Sequence, residues 1–328
     1  MTNEREKIYL AALLHDVSKF WEKTFQNDQL QQSINSKFQA LGLTDEYDEK
    51  ILNLALSYAY GQEKVENTYK LTHLHPVFEA IRLNETDQTE SIKYSYTFPA
   101  KELVLNNAET DFFPKTDRQE TDFSPLLKSF KKKFDQLPET NFEAFAESLL
   151  ALLHKYGVTI PANANYLPDV SLFDHAKTTA AFAVAIFDFF DKNKRLPQEG
   201  DTPVRLIGAD ISGIQKFIYD IISKNAAKNL KGRSFYLQLM IDSILRYMLK
   251  ELNLFLANIV YSSGGGFFML APNTEDFGEN LKKIEKEISK KLFVAYKTGL
   301  FVAISSVEFS HADLLSKGEN IMGTRWNE

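Results

Sequence analysis

Apolar residues recur at helical spacing through most of the first 190 positions, and the pattern changes after residue 200 to short apolar runs alternating with helices. Residues 5–25 read as an amphipathic helix, with Ile8, Ala11, Ala12, His15 and Lys19 near helical spacing. A second helix is expected over 45–61. His75-Pro76 marks a break, because proline restricts the residue before it, and helix is expected to resume over 77–83. Residues 85–120 are polar with strand-like patches such as 95–98, and helices return over 125–136, 141–156 and 171–191. The polar stretch 193–202, with Pro197 and Gly200, is the favoured boundary. Beyond it the predicted order is strand 204–209, helices 213–223 and 235–252, strands 258–262 and 267–271 about a triple glycine, helix 276–296 and strand 300–307. That is the split βαβ plan, helices on one face of an antiparallel sheet. The expected class is α+β: a helical region 1–85, a connecting region 86–200 with helices, and a ferredoxin-like (βαββαβ) domain 201–328.

Composition narrows the functional classes. The chain is 44% hydrophobic and 25% charged over 328 residues, an ordinary globular profile with room for about two domains. Its net charge of -6 means that any phosphate contact must come from local basic patches. With no cysteine, disulfides, thiolate metal sites and cysteine nucleophiles are excluded together. Met1 to Ile8 is charged rather than apolar and no long apolar run exists, so neither a secretory leader nor a membrane span is expected, and the cytoplasm is the expected compartment.

Four motifs can carry chemistry. His15-Asp16 pairs an imidazole with a carboxylate, donors that suit a hydrolytic divalent transition metal such as manganese or nickel; His73 and His75 are the nearest histidines in sequence to complete the ligand set. Read blandly, His15 is a hydrogen-bonded buried histidine and Asp16 faces solvent. Asp210-Ile211-Ser212-Gly213, directly after a strand, can hold a cation and present backbone N–H groups to phosphate; taken alone, helix capping by Asp210 or Ser212 explains it better. Ser262-Ser263-Gly264-Gly265-Gly266 is a hairpin signal whose glycines also permit close approach of a ligand, or simply make a tight turn. Lys228, Lys231 and Arg233 form a basic loop between helices that can touch triphosphate or an RNA backbone, or be a solvated loop. A two-metal phosphoryl-transfer site needs several carboxylates, and around the hairpin only Asp210 offers one. Nucleotide binding rather than complete catalysis is therefore expected there.

Together these segments resemble a family. Gly208-Ala-Asp-Ile-Ser-Gly-Ile-Gln-Lys-Phe-Ile-Tyr219, Leu230-Lys-Gly-Arg-Ser-Phe-Tyr-Leu-Gln-Leu239 and Val260-Tyr-Ser-Ser-Gly-Gly-Gly-Phe267 are similar to the first palm of the large subunit of type III-A, Csm-type, CRISPR interference complexes. Pro168-Asp-Val-Ser-Leu-Phe-Asp-His-Ala-Lys-Thr-Thr-Ala-Ala181 and Ala12-Leu-Leu-His-Asp-Val-Ser-Lys-Phe20 resemble the same subunit, in the family's order. The resemblance implies antiviral defence. Its elements are an HD-type domain at the N-terminus that cleaves single-stranded DNA with a metal, and palms that convert ATP, with magnesium, into cyclic oligoadenylate. It also implies as partners crRNA, target RNA, the small subunit and other Csm-type subunits. The family's catalytic Gly-Gly-Asp-Asp hairpin belongs to a second palm and has no counterpart here, and the sequence stops at Trp326-Asn-Glu328 before the family's cysteine-bearing zinc region. An N-terminal portion whose second palm lies elsewhere is the expectation. Residues 56–64, where further histidines and an Ala-Asp pair would stand, read Leu-Ser-Tyr-Ala-Tyr-Gly-Gln-Glu-Lys, which leaves open a degenerate DNase. The alternatives are a non-catalytic assembly subunit contacting crRNA and the small subunit, and a free-standing HD phosphohydrolase.

Overall fold

The computed structural model describes residues 2–43, 48–60, 73–80, 95–104, 113–116, 122–163, 167–219 and 226–315. They form two compact units, Met1–Ala180 and Ala181–Glu328. The division falls inside one helix, α6 (Leu172–Asn193), and not in the polar stretch after it, which folds into a turn closed by a fork-like pair between Arg195 and Asp201.

The first unit is built around α1 (Thr2–Phe25). Residues 8–14 are all buried, so the middle of this helix is enclosed on every side, while Glu4, Glu22 and Lys23 toward its ends stay exposed. It packs against α2 (Gln29–Ala40), α3 (Glu49–Tyr60), α4 (Ser124–Phe134) and α5 (Phe142–Gly157). α2 has no counterpart among the predicted elements, because its polar residues outnumber the apolar stripe of Leu30, Ile34 and Phe38. Residues 77–80 form a single 3₁₀ turn, and the expected continuation to 83 lies outside the described residues. The strand-like patch 95–98 is only an isolated bridge, Thr97 to Lys115. Lys37 of α2 is buried because it caps the end of α4: its Nζ donates to the carbonyls of Asp135 and Leu137, both at 3.0 Å, and pairs with Glu139 at 2.6 Å. A short antiparallel pair, β1 (Pro161–Asn163) and β2 (Leu167–Ser171), lies between the two predicted helices 141–156 and 171–191 and delivers the chain into α6.

The second unit holds a four-stranded antiparallel sheet in the order β4-β5-β3-β6, made by β3 (Val204–Ser212), β4 (Ile259–Ser263), β5 (Gly266–Pro272) and β6 (Phe301–Phe309). Between β3 and β4 come the short α7 (Ile214–Tyr219) and the long α8 (Ala226–Glu251); α9 (Phe277–Tyr296) joins β5 to β6, and α10 (His311–Leu315) follows. Apolar residues at helical spacing, Leu237, Ile241 and Leu245 from α8 and Leu281, Ile284 and Ile288 from α9, meet Ile207, Ile211, Phe267, Met269 and Val302 from one face of the sheet in a single core. The basic stretch at 228–233 is not a loop: it lies within α8, because one interior glycine, Gly232, costs only about 1 kcal/mol and does not stop a helix anchored by this core. Helix was expected over 213–223; α7 ends at Tyr219, and 220–225 lie outside the described residues.

Candidate functional site

The first cluster forms where α1, α3 and α6 meet. Ser171 caps α6: its hydroxyl accepts from the Asp174 N–H at 3.0 Å and donates to the Asp174 carboxylate at 2.7 Å, a reciprocal capping arrangement. One residue later comes His175, fully buried in the first turn of the helix. Its Nδ1–H donates to Asp16 Oδ2 at 2.5 Å, while His15 Nδ1–H donates to Asp16 Oδ1 at 3.0 Å. The Tyr60 ring from α3 lies on the His175 ring, centroids 4.1 Å apart. Asp16 is therefore buried and held from both sides, and the solvent-facing reading of it is wrong. Burial opposes its charge, but the two imidazoles outweigh that cost and keep its carboxyl far below the usual carboxylate range. Burial in turn pushes the Lys19 ammonium down, against the pull of Asp16 and Glu22.

This arrangement fixes tautomers. A carboxylate can only accept, so both rings carry an N–H at Nδ1, and a ring in its neutral form would keep its lone pair on Nε2. His175 Nε2 is buried with no hydrogen-bond partner among the described residues. Histidines that donate one ring N–H to a carboxylate and leave the other nitrogen open are the usual preparation for metal ligation, so the donor types fit a divalent transition metal. Among the described residues, however, no group of three or more His, Cys, Asp or Glu side chains is arranged around a common centre. His75 Nδ1–H donates to the Tyr96 carbonyl at 2.8 Å, and among the described residues neither His73 nor His75 completes a group of three metal-ligating side chains. The Leu56–Tyr60 part of the segment examined for further ligands belongs to α3, and 61–64 lie outside the described residues. His15 reaches a groove of about 230 Å³ between α1 and α2, lined also by Ser18, Lys19 and Gln31.

The second cluster lies on the sheet face turned away from α8 and α9. Asp210 is inside β3, paired with Gly266 of β5 and Ala303 of β6, so it is not a helix cap; β3 continues to Ser212, past the predicted end. Its exposed carboxylate shares that face with Gly208, Gly266, Ala303, Ser305 and Ser263, all small, and with the half-exposed aromatic rings of Tyr261, Phe268 and Phe301. Ser262 and Ile211 point the other way, opposite Phe267 and into the helix-covered core. The hairpin turn is Gly264-Gly265, both at positive φ, +64° and +104°. A Cβ on Gly265 would stand 2.2 Å from Ile214 Cδ1, and one on Gly213, at φ +90°, 2.1 Å from the Gly299 carbonyl oxygen. Positive φ at both positions, and the Gly299 backbone beside Gly213, thus already favour glycine there. Lys228 and Lys231 are exposed on α8, whereas Arg233 is engaged internally, donating to the Phe217 carbonyl with its guanidinium over the Phe217 ring.

His175 was missed as a site residue. Its segment carried the family resemblance, but a single histidine distant in sequence from His15 shows no spacing that would link the two; only the fold of α6 against α1 does.

Residues 203–328 match the family described as Csm1 subunit domain B. The chain is 28% identical over 376 aligned positions to a subtype III-A single-strand-specific deoxyribonuclease Cas10/Csm1 of Methanocaldococcus jannaschii, covering 93% of this chain and 46% of that protein. It is 29% identical to the protein of the same description from Streptococcus thermophilus, covering 97% and 47%. The chain spans just under half the length of these relatives. In fold it is similar to an apo Csm1–Csm4 cassette, with a TM-score of 0.75 at 21% identity over 100% of this chain and 48% of that one. The Csm1–Csm4 cassette in complex with cA3 gives a TM-score of 0.71 at 20% identity, covering 100% and 48%. By sequence and by fold, the chain is a relative of the Cas10/Csm1 large subunits of subtype III-A CRISPR systems.

Proposed function

We propose that the chain works in type III-A CRISPR defence with two sites: a metal-dependent single-strand DNase site at His15, Asp16 and His175 in an HD-type helical unit, and an ATP-holding surface on a ferredoxin-like first palm. The observation that carries the reading is the buried carboxylate tied to two imidazoles, with a buried Nε2 on one of them that is unpartnered among the described residues. His15, Asp16 and His175 are the residues that would hold manganese, nickel or a similar ion, which when bound supplies Lewis-acid activation of water for attack on a phosphodiester. Asp16 fixes the tautomer and orientation of both rings. Lys19, with its ammonium pushed down by burial, stands on the groove that exposes His15 and can face a substrate phosphate.

On the sheet, the small residues around Asp210 leave a flat floor between aromatic rings, a shape suited to an adenine nucleotide. One carboxylate with substrate phosphates is enough to retain magnesium. It is too few to drive two-metal transfer, so cyclic oligoadenylate synthesis would need carboxylates from a second palm. Solved relatives include Csm1–Csm4 assemblies, one of them with ATP, which supports other Csm subunits as partners and nucleotide binding on this architecture. Contacts with crRNA and target RNA belong to the same reading.

The test incubates the chain with manganese and labelled single-stranded DNA beside Asp16→Asn. Cleavage lost in the variant is expected. A non-catalytic assembly role, favoured by the lack of a convergent ligand group among the described residues, predicts no manganese-dependent cleavage in either protein. ATP binding weakened by Asp210→Ala would support the sheet assignment, and unchanged binding would remove it.

A further inference from the structure

A second depression lies at the other end of the α1–α2 corner from His15, with a volume of about 650 Å³, within the size range of small-molecule sites. One wall is the end of α1, where the partly exposed Phe25 ring rests on buried Trp21 with centroids 4.3 Å apart. Asn27 fixes that wall: its Oδ1 accepts from Trp21 Nε1 at 3.0 Å and its amide donates to the Phe25 carbonyl at 3.1 Å. The opposite wall is α4, which presents Lys128, Lys131 and Lys132, at spacings of three and four residues, on one face. Lys131 is paired with Asp135 at 2.8 Å. Lys128 lies over the Phe25 ring, 5.4 Å from its centroid, and Lys132 is exposed and makes no ion pair among the described residues. In a chain of net charge -6 this is a local cationic spot beside an aromatic face.

We propose that this cavity is a holding site for single-stranded DNA, taking a phosphate on Lys128 and Lys132 and a base against Phe25. The proposal rests on the DNase reading of His15, Asp16 and His175. Ammonium groups that neutralise backbone phosphates next to an aromatic platform are the combination that binds unpaired strands without sequence preference. A duplex keeps its bases stacked and cannot offer one to a concave pocket. The geometry also connects the two depressions. Both are walled by α1 and α2, His15 and Gln31 at one and Phe25 and Gln29 at the other. Ten residues of helix separate His15 from Phe25, about 15 Å at 1.5 Å per residue, a span that a few nucleotides cover. A strand seated at Phe25 and Lys132 is thereby led along the corner to His15.

The test is fluorescence anisotropy of a labelled oligo(dT) on the full chain, in EDTA so that cleavage plays no part, across a salt series. Lys128→Ala/Lys132→Ala is expected to weaken binding about tenfold and to lower the steepness of log K against log salt by about 1.4, the value for two lost single-strand phosphate contacts. Both lysines are exposed, so the melting temperature should not move. Phe25→Leu should weaken binding with no change in the salt slope. Lys282→Ala/Lys283→Ala, an exposed pair on α9, serves as the control and should stay within about twofold of wild type. The proposal is overturned if the α4 variant keeps wild-type affinity and slope, if the control loses as much, or if free dTMP displaces the oligonucleotide as well as oligo(dT) itself does. Manganese-dependent cleavage measured beside binding separates the two claims. Absent cleavage with a weakened α4 variant would sink the DNase reading alone, and intact cleavage with an unaffected α4 variant would sink this site alone.

Discussion

Asp16 is the residue on which the electrostatics of the helical unit turn. Burial pushes its carboxyl toward protonation, yet the hydrogen bonds and charge of His175 and His15 hold it far below the normal range. A carboxyl depressed in the folded state contributes stability that is fully present above its unfolded pKa of about 3.9 and is lost as pH falls below that value toward the folded one. Asp16→Asn removes this proton linkage. Melting curves recorded from pH 7 down to pH 2 should therefore show a shallower acid loss in the variant; parallel curves would mean that the two imidazoles do not hold Asp16 as described. The contact between His15 and Asp16 was legible in the dipeptide, because imidazole beside carboxylate is a chemical signal that needs no fold. The contact with His175 was not, since Asp16 and His175 meet only through tertiary packing, 159 positions apart.

At the scale of elements, β3 and the glycine hairpin lie side by side, Asp210 opposite Gly266, as the alternation of apolar runs and turn residues led one to expect. A period-two pattern flanking glycines carries its own pairing information, which is why this part of the fold was readable. The helices around residue 230 were less so: local composition suggested a basic loop, and the core under α8 overrode it. The glycines at the turn make separable predictions. Gly265→Ala forces φ +104° on an L-residue and meets a movable side-chain end, Ile214 Cδ1. It should cost about 1–3 kcal/mol in denaturant unfolding, and adding Ile214→Ala should relieve the clash between the two while leaving the backbone strain. Gly213→Ala meets the Gly299 backbone instead, so the Ile214 change should not rescue it. Equal rescue of both would contradict the packing described here.

Across the whole molecule, the two units carry separate cores, one around α1 and one between α8, α9 and the sheet. Phe267→Ala, a fully buried ring in the second core, should destabilise that unit by about 3–5 kcal/mol. Trp21 is buried in the first unit and reports on it in a Trp326→Phe background. Its fluorescence midpoint should move less than the loss of helix seen by circular dichroism, and coincident shifts would show that the units unfold as one. Composition had indicated room for two domains, but the division inside α6 was invisible in sequence, because an uninterrupted apolar helix offers no mark of where one core ends and the next begins. Among the described residues no helix is long and apolar enough to cross a membrane.

Calorimetric titration with manganese reaches the core of this picture most directly. Wild type should bind one ion per chain at the α1–α6 cluster, His175→Ala should show no such binding, and Asp16→Asn, which loses the carboxylate that orients both rings, should bind about 10–100-fold more weakly. Equal manganese binding by all three proteins, or none by the wild type, would contradict the assignment of His15, Asp16 and His175 as one metal-holding group.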